Sequence, residues 1–354
     1  MANDKARLRL EVPIFGPDDG LLAVSMGASR LELNRAGSYA LGGTTPTLAE
    51  LAALLSSLGT SSRQHRPRPT IRIMIRPRGP PQTTITTTTN TTTITTATIT
   101  ADHASTDLTI TGLQQQGDGQ QRLQDFLYTP AEFAAMAASV REFATSGLLS
   151  ARHGDGFVFG VLHHANGQDR NQDQNEDPAV VKESSQRRLE LDVERNRELV
   201  RLVSGSGEYK AGEVTDGAGS GLACVLHRAV DDLLSCSEGD VGGVMERLNE
   251  CRFDGVLTSG GRGNAVGNVD GLREVVESVT RTGSGMGTEV IVGGGVRKGN
   301  LGALVKGLRK DGSNELGERV WFHSSCLGAD GKFDTEEARG LAEELRRLGV
   351  ILSD

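Results

Sequence analysis

The apolar residues of this chain fall into short runs separated by longer amphipathic stretches. The runs have the length and composition of buried strands, and the stretches between them carry apolar residues at helical spacing. Thr45, followed by Pro46, is a helix-start signal and is expected to cap the second helix. The pattern predicts strands at residues 8–12, 30–33, 70–75, 156–162, 222–226, 255–258, 289–292 and 319–323. It predicts helices at residues 17–27, 46–58, 130–146, 183–203, 230–251, 270–280, 297–308 and 335–348, the fifth with a glycine-containing break.

This regular alternation of strands and helices determines the fold class. Strands that alternate with helices form a parallel sheet, and a repeat count of eight favours a closed barrel over an open doubly wound sheet. The absence of a G-x-G-x-x-G string after the first strand also disfavours a dinucleotide-binding domain. We therefore predict an α/β fold, a single (β/α)8 TIM-type barrel with loop insertions that spans residues 1–354.

One segment breaks the pattern. Residues 79–124 consist mainly of Thr, Gln, Gly and Asp and include the string TTITTTTNTTTITTATIT. Threonine favours strands, but the segment has neither core residues nor a pattern for a partner strand. We interpret it as a low-complexity surface insertion within the barrel, without ordered structure.

Composition narrows the classes of partner and the cell compartment. A formal net charge of −8 makes nucleic acid and anionic membrane surfaces unsuitable partners. The start, MANDKARLRLEV, lacks the apolar region of a secretory signal, and the apolar runs are shorter than the roughly 18 residues that a membrane span needs. We therefore expect a cytoplasmic protein. Its cysteines form no C-x-x-C pair and indicate reduced thiols, with no disulfide framework and no metal-ligand motif: Cys224, Cys236, Cys251 and Cys326.

Polar residues stand where most of the predicted strands end. Function in this fold collects at the carboxyl ends of the strands. Neighbouring strands lie about 4.8 Å apart, so Glu11, Glu32 and Arg76 are expected within interaction range. Such a set can bind a polar ligand and supply an acid and a base, or it can be an ion-pair network that fills the barrel mouth. The candidate catalytic residues are Glu11, Glu32, Arg76, Arg78, His227, Asp231 and His323.

The last two strands carry a second signal. Gly293, Gly294 and Gly295 precede a predicted helix, and Ser324 and Ser325 follow the last strand. Loops after the seventh and eighth strands, together with a helix N-terminus, are the usual phosphate site of this fold. The alternative is that three glycines only make a tight turn.

At these same positions the chain resembles the CutC copper homeostasis protein family. The resemblance implies a TIM-type barrel, a cytoplasmic location and a role in copper handling, but it implies no reaction. Whether the chain is an enzyme, and whether it forms a homo-oligomer, stays open. The matching strings, in family order, are GASRLELN (27–34), GGTTPT (42–47), IRPRG (75–79), DFLYTPAEF (125–133), GFVFGVL (156–162), LHRAVD (226–231), VLTSGG (256–261), VGGGVRKGNL (292–301) and FHSS (322–325).

The chain departs from the family where copper would bind. The family often has a cysteine two residues after each of the first two rim glutamates, and here Pro13 and Asn34 occupy those positions. Copper(I) prefers thiolate or thioether ligands, so Cys326 is the one plausible substitute. Two hypotheses remain. In the first, the barrel binds a copper ion. In the second, it binds or transforms a small anionic, phosphorylated ligand at the rim.

Overall fold

Eight parallel strands close into a barrel in a computed structural model of the chain. The structure describes residues 7–60, 68–80, 84–86, 96–98, 125–165, 188–204, 221–237, 239–281, 287–309 and 316–352. Each strand pairs with its neighbours in the sequence, and the last pairs with the first, which confirms the predicted (β/α)8 barrel. The strands are β1 (Leu10–Phe15), β2 (Arg30–Asn34), β3 (Thr70–Met74), β4 (Gly156–Phe159), β5 (Ala223–Leu226), β6 (Gly255–Thr258), β7 (Glu289–Val292) and β8 (Val320–His323).

The helices of the described residues surround this barrel. The predicted break in the fifth connection is present and separates α5 from α6. None of these helices combines the length and apolar character that a bilayer crossing requires. The helices are α1 (Gly20–Met26), α2 (Leu48–Thr60), α3 (Pro130–Thr145), α4 (Val193–Ser204), α5 (Ala229–Cys236), α6 (Val241–Cys251), α7 (Val269–Arg281), α8 (Lys298–Leu308) and α9 (Thr335–Arg347).

The predicted cap of α2 is wrong by two residues. Thr47 caps the helix, because its hydroxyl accepts from the Glu50 amide at 3.2 Å while the Glu50 carboxylate accepts from the Thr47 amide at 2.6 Å. The hydroxyl of Thr45 accepts instead from the Arg76 amide at 2.8 Å, across the end of β3. A threonine that looked like a helix signal thus joins two loops of the barrel mouth.

The sequence between β4 and α4 was also predicted incorrectly. The predicted strand 156–162 ends at Phe159, and the predicted helix 183–203 begins only at Val193. A short antiparallel pair, Leu162–His164 with Leu189–Leu191, lies between them. Both leucines of Leu189–Leu191 are buried and the glutamate between them is half-buried, which is the two-residue period of a strand.

The barrel separates two apolar regions. The larger one fills the space between strands and helices. A second cluster fills the interior and consists of Met74, Val158, Val225, Leu257, Ile291 and Trp321. Side chains alternate along a strand, so the residues two positions further on also face the interior, at the carboxyl end. Arg76, His227 and His323 are such residues.

Only two residue pairs join β1 to β8, the same number as join β5 to β6. The paired positions are Leu10 with Phe322 and Glu11 with His323, whereas β1 pairs with β2 along five residues. Pro13 follows on β1 and carries no N–H to continue the ladder. The β1–β8 register therefore ends at Glu11 and His323.

Part of the Thr-rich insertion has regular structure. Thr84–Thr86 pairs antiparallel with Thr96–Thr98 in a two-stranded sheet of its own. The prediction of no ordered structure is wrong for these six residues, where the strand preference of threonine prevails. Residues 81–83, 87–95 and 99–124 of the predicted insertion lie outside the described residues.

We expect the insertion to be dispensable for folding. Joining Gly79 directly to Asp125 should change the melting temperature by a few degrees at most, because loop length costs little free energy and the two strands pair only with each other among the described residues. Thermal unfolding followed by circular dichroism tests this. Insolubility or a large loss of melting temperature would mean that the insertion packs on the barrel.

Candidate functional site

A buried carboxylate–imidazole pair lies at the centre of the barrel mouth. Glu11 of β1 lies opposite His323 of β8, and Glu11 Oε1 is 2.8 Å from His323 Nδ1. The second oxygen, Oε2, is 3.5 Å from Nη1 of Arg30. Arg30 in turn bonds Glu289 at 2.9 Å and stacks on the Trp321 ring at 3.8 Å. Both carboxylate oxygens of Glu11 thus have a partner inside the barrel, His323 for Oε1 and Arg30 for Oε2.

These contacts favour the charged forms of both Glu11 and His323. Burial alone would raise the pKa of Glu11, but the His323 hydrogen bond and the charges of Arg30, His323 and Arg72 outweigh it and lower that pKa. Burial alone would lower the pKa of His323, but the hydrogen bond to Glu11 and the charges of Glu32 and Glu11 raise it.

Glu32 completes a set of three. One ligand atom each of Glu11, Glu32 and His323 lie within 4.8 Å of one another. Glu32 Oε1 accepts from Asn34 Nδ2 at 3.0 Å. Glu32 Oε2 is buried and has no hydrogen-bond partner among the described residues. Burial and the Glu11 charge raise the pKa of Glu32, against the opposing charge of His323.

A glycine makes room for this arrangement. A Cβ on Gly43, whose φ is +87°, would lie 2.1 Å from Asn34 Oδ1. Any larger residue would push Asn34 away from Glu32. Sequence reasoning assigned no metal ligands here, yet these three side chains form a group that can hold an ion. The signal was present, because the three residues lie on the adjacent strands β8, β1 and β2.

Arg76 and Arg78 are bound by internal partners. Arg76 donates from Nη1 to the carbonyls of Leu41 and Gly43, at 2.8 and 3.1 Å, and from Nη2 to Asp125 at 2.7 Å. Arg78 donates from Nε to Glu132 at 2.6 Å and from Nη2 to the Leu127 carbonyl at 2.7 Å. Both arginines therefore hold the loops around the mouth, which weakens their predicted role as an anion clamp.

His227 is a neutral side chain at the end of β5. Its Nδ1 accepts from the Ala229 amide at 3.3 Å, which assigns the ring proton to Nε2. Burial and the Arg76 charge lower its pKa to about 3. The Phe126 ring packs on it with centroids 4.5 Å apart. His227 is thus a hydrogen-bond donor and a poor proton acceptor near neutral pH.

Asp231 was predicted as a catalytic residue, but its four hydrogen bonds are structural. Oδ1 accepts from the Thr258 hydroxyl at 2.6 Å and the Ser259 amide at 2.9 Å. Oδ2 accepts from the Ser259 hydroxyl and from Arg228 Nε, both at 2.8 Å. The carboxylate joins the ends of β5 and β6 and has little capacity left for a ligand.

The predicted phosphate site has internal partners as well. At the start of α8, the Lys298 amide donates to the Glu337 carboxylate at 2.7 Å. The Ser324 hydroxyl donates to the Val296 carbonyl at 2.7 Å, and the Ser325 hydroxyl is 3.5 Å from Arg297 Nη1.

The glycines before this helix match the alternative of a tight turn. Gly293 donates to the Thr258 carbonyl at 2.9 Å, while Gly294 and Gly295 take the positive φ angles of +84° and +82°. A carboxylate of α9 thus satisfies the helix end that a phosphate would need.

Cys326 is an unsuitable substitute for the missing rim thiols. It follows the end of β8, is fully buried and has a positive φ of 51°. Burial raises the pKa of its thiol to about 11. A thiol that keeps its proton and has no exposed surface is poorly placed to take a metal from solution.

The fold and this mouth define a (β/α)8 barrel whose interior ends in a polar, charged site. The model of the CutC family matches residues 178–316. The predicted resemblance to the CutC family is thereby confirmed. The motifs between residues 27 and 162, and the FHSS motif at 322–325, lie outside the matched segment. No curated protein sequence matches the chain.

A solved structure supports the same architecture. The crystal structure of a copper homeostasis protein CutC from Streptococcus agalactiae is similar, with a TM-score of 0.52 and 18% sequence identity. The similarity covers 89% of this chain and 98% of that one. At this identity it establishes the fold.

The Glu11–His323 pair predicts a specific pH response. Glu11→Gln replaces the charged acceptor of His323 by a neutral amide oxygen, which removes the charge that raises the pKa of His323 and weakens the hydrogen bond, so His323 should titrate at lower pH in the variant. In the wild type, the stabilisation by His323 is full below the ordinary histidine pKa of about 6.5 and is lost as pH rises through the raised value. NMR titration of the His323 ring and melting temperature against pH measure both effects.

The matched control for this experiment is Glu190→Gln, which removes a carboxylate from the short strand pair outside the barrel. An identical His323 titration in wild type and Glu11→Gln would contradict the pairing.

Proposed function

We propose that the barrel mouth binds a divalent cation through Glu11, Glu32 and His323, and that this CutC-like barrel handles copper in its divalent state. One observation carries the proposal. Three ligand atoms from adjacent strands lie within 4.8 Å of one another, and Glu32 contributes a buried oxygen that has no partner among the described residues. A bound cation would compensate the charge of two carboxylates that burial has removed from water.

The donor set selects the kind of metal. Two carboxylates and one imidazole suit divalent ions of the first transition row, and copper(II) binds most tightly among them in the usual affinity order. Metal–ligand distances of about 2.0–2.2 Å place donors roughly 3 Å apart, so ligand atoms that lie up to 4.8 Å apart must approach one another by as much as about 2 Å. Arg30 stays on the second oxygen of Glu11 and orients the carboxylate from behind.

Copper(I) fits this mouth poorly. Pro13 has no donor atom, and Asn34 already donates to Glu32. The internal bonds of Arg76, Arg78 and the α8 N-terminus give no support to a phosphorylated ligand. We therefore favour the metal hypothesis and propose no reaction.

Metal titration tests the proposal. Copper(II) should bind the wild type with one equivalent, and Glu32→Gln should weaken binding at least about tenfold, because it removes the ligand with the unpartnered oxygen. Affinity should rise with pH, since binding requires loss of the protons that the raised pKa values of His323 and Glu32 retain. Calorimetry and electron paramagnetic resonance supply the affinity and the ligand type.

The matched control is Glu190→Gln, which removes a carboxylate from the short strand pair, a sheet separate from the barrel. It should leave the copper(II) affinity within about twofold of wild type. Equal affinities for wild type and Glu32→Gln would contradict the assigned ligands.

Competition with a copper(I) chelator tests the preference between oxidation states. We expect the chelator to remove copper(I) completely from wild type, and Cys326→Ser to change nothing. Tight stoichiometric binding that survives Cys326→Ser would mean that other ligands are involved. Binding that is lost in this variant would move the copper(I) site to the end of β8.

A further inference from the structure

A cavity opens at the barrel mouth between the loop after β2 and the loop after β3. Its volume is about 540 Å³. Binding sites for small molecules in proteins usually measure about 300–1,000 Å³. Glu11, Glu32 and His323 do not line it, so the cavity is separate from the proposed metal group. The described residues that line it are Arg35, Leu41, Thr44, Thr45, Pro77, Arg78, Gly79 and Pro80.

Arg35 gives this cavity an available positive charge. Its Nε atom donates to the Thr45 carbonyl at 3.0 Å, which fixes the guanidinium on the cavity wall. Its two terminal nitrogens have no hydrogen-bond partner among the described residues. Glu50 interacts electrostatically with Arg35, but the Glu50 oxygens accept from the Ala36 and Thr47 amides. Arg35 can therefore offer both of its terminal NH₂ groups to an anion.

The second arginine of the lining is bound by internal partners. Arg78 donates to Glu132 at 2.6 Å and to the Leu127 carbonyl at 2.7 Å. None of the described lining residues is acidic, so the wall adds no charge that would repel an anion. The paired NH₂ groups of an arginine match the two oxygens of a carboxylate. One available guanidinium thus favours a carboxylate over a phosphate dianion.

Thr44 provides a second, independent sign of a ligand. It is 8% exposed, and its hydroxyl has no hydrogen-bond partner within the part of the chain that the structure describes. Buried hydroxyls are rarely left without a partner. Thr44 lines the cavity, so a polar atom of a bound molecule can supply the missing partner.

The rest of the lining is mainly apolar. Leu41, in the loop after β2, is 37% exposed. Pro77 and Pro80 belong to the loop after β3. Gly79 lets the two loops meet, because a Cβ at this position would lie 2.8 Å from the Leu41 Cβ. A ligand with an apolar body would cover these side chains and remove their surface from water.

We infer that the cavity binds a small organic acid with one carboxylate and an apolar body. The carboxylate pairs with Arg35, and a further polar atom of the ligand bonds the Thr44 hydroxyl. The apolar body lies on Leu41 and Pro77. This site goes beyond the proposed function, because none of its residues is a proposed metal ligand and its own ligand needs no metal.

Fluorescence titration of the metal-free full chain with dansylglycine tests the inference. This probe has one carboxylate, a polar sulfonamide and an apolar ring system, and it should bind saturably with one equivalent. Dansylglycinamide, which lacks the charge, and acetylglycine, which lacks the ring system and is measured by displacement, should each bind at least about tenfold more weakly. The NMR signals of the Thr44 and Leu41 methyl groups should shift on binding of dansylglycine.

Arg35→Gln should weaken dansylglycine binding at least about tenfold. Arg35→Lys, which keeps the charge but not the paired NH₂ groups, should retain part of the affinity. The matched control is Arg339→Gln, which removes an exposed arginine of α9 and should leave the affinity within about twofold of wild type. Glu32→Gln should also leave it unchanged, since the metal group is separate from the cavity.

The inference is wrong if dansylglycine shows no saturable binding or binds no better than its amide. It is also wrong if Arg35→Gln, with a melting temperature close to that of wild type, keeps the full affinity, or if the Thr44 and Leu41 signals do not shift. These results leave the metal proposal standing, because copper(II) titration tests that proposal on other residues.

Discussion

The mouth of this barrel depends on how one buried charge is compensated. Glu11 lies in the interior at 1% exposure, where an ionised carboxylate would be very costly without partners. His323 holds one oxygen and Arg30 the other, while Glu289 and Trp321 hold Arg30. These ion pairs connect Glu289, near the amino end of the barrel interior, through Arg30 and Glu11 to His323 at the mouth. Glu32 has fewer partners than Glu11, and its Oε2 atom has none among the described residues, so this oxygen can accept a ligand.

The walls of the mouth are built by a second set of polar contacts. Arg76 joins the loop after β2 to Asp125, and Arg78 joins the end of β3 to the first turn of α3. Asp231 does the same for β5 and β6, and Glu337 for α8 and α9. These residues lie beside the candidate ligands because loops of irregular backbone need side chains to satisfy their polar groups. Charged residues at a rim therefore divide into those that hold the loops and those that face the interior.

The sequence was sufficient for the fold because eight apolar runs and their helical spacers carry the architecture directly. It also grouped Glu11, Glu32 and His323, although β1 continues beyond Glu11 to Phe15 and Glu32 is the central residue of β2. It could not distinguish Arg76 as a loop clamp from Arg76 as an anion binder, because that depends on Leu41, Gly43 and Asp125, which are distant along the chain. For the same reason, the sequence could not show the internal partner at the predicted phosphate site. Glu337 lies 39 residues after the amide that it accepts from.

Pro13 affects two properties of the mouth, the donor atoms available to a ligand and the backbone hydrogen bonds between β1 and β8. A cysteine at this position would bring both a soft sulfur and an amide N–H, whereas proline removes the two together. Pairing of β1 with β8 stops at Glu11 and His323, so the proline lies immediately beyond the last shared rung. Under the proposed function, a single substitution at position 13 therefore changes two properties, the donor atoms next to the group of three and the number of hydrogen bonds that can join β1 to β8 next to His323.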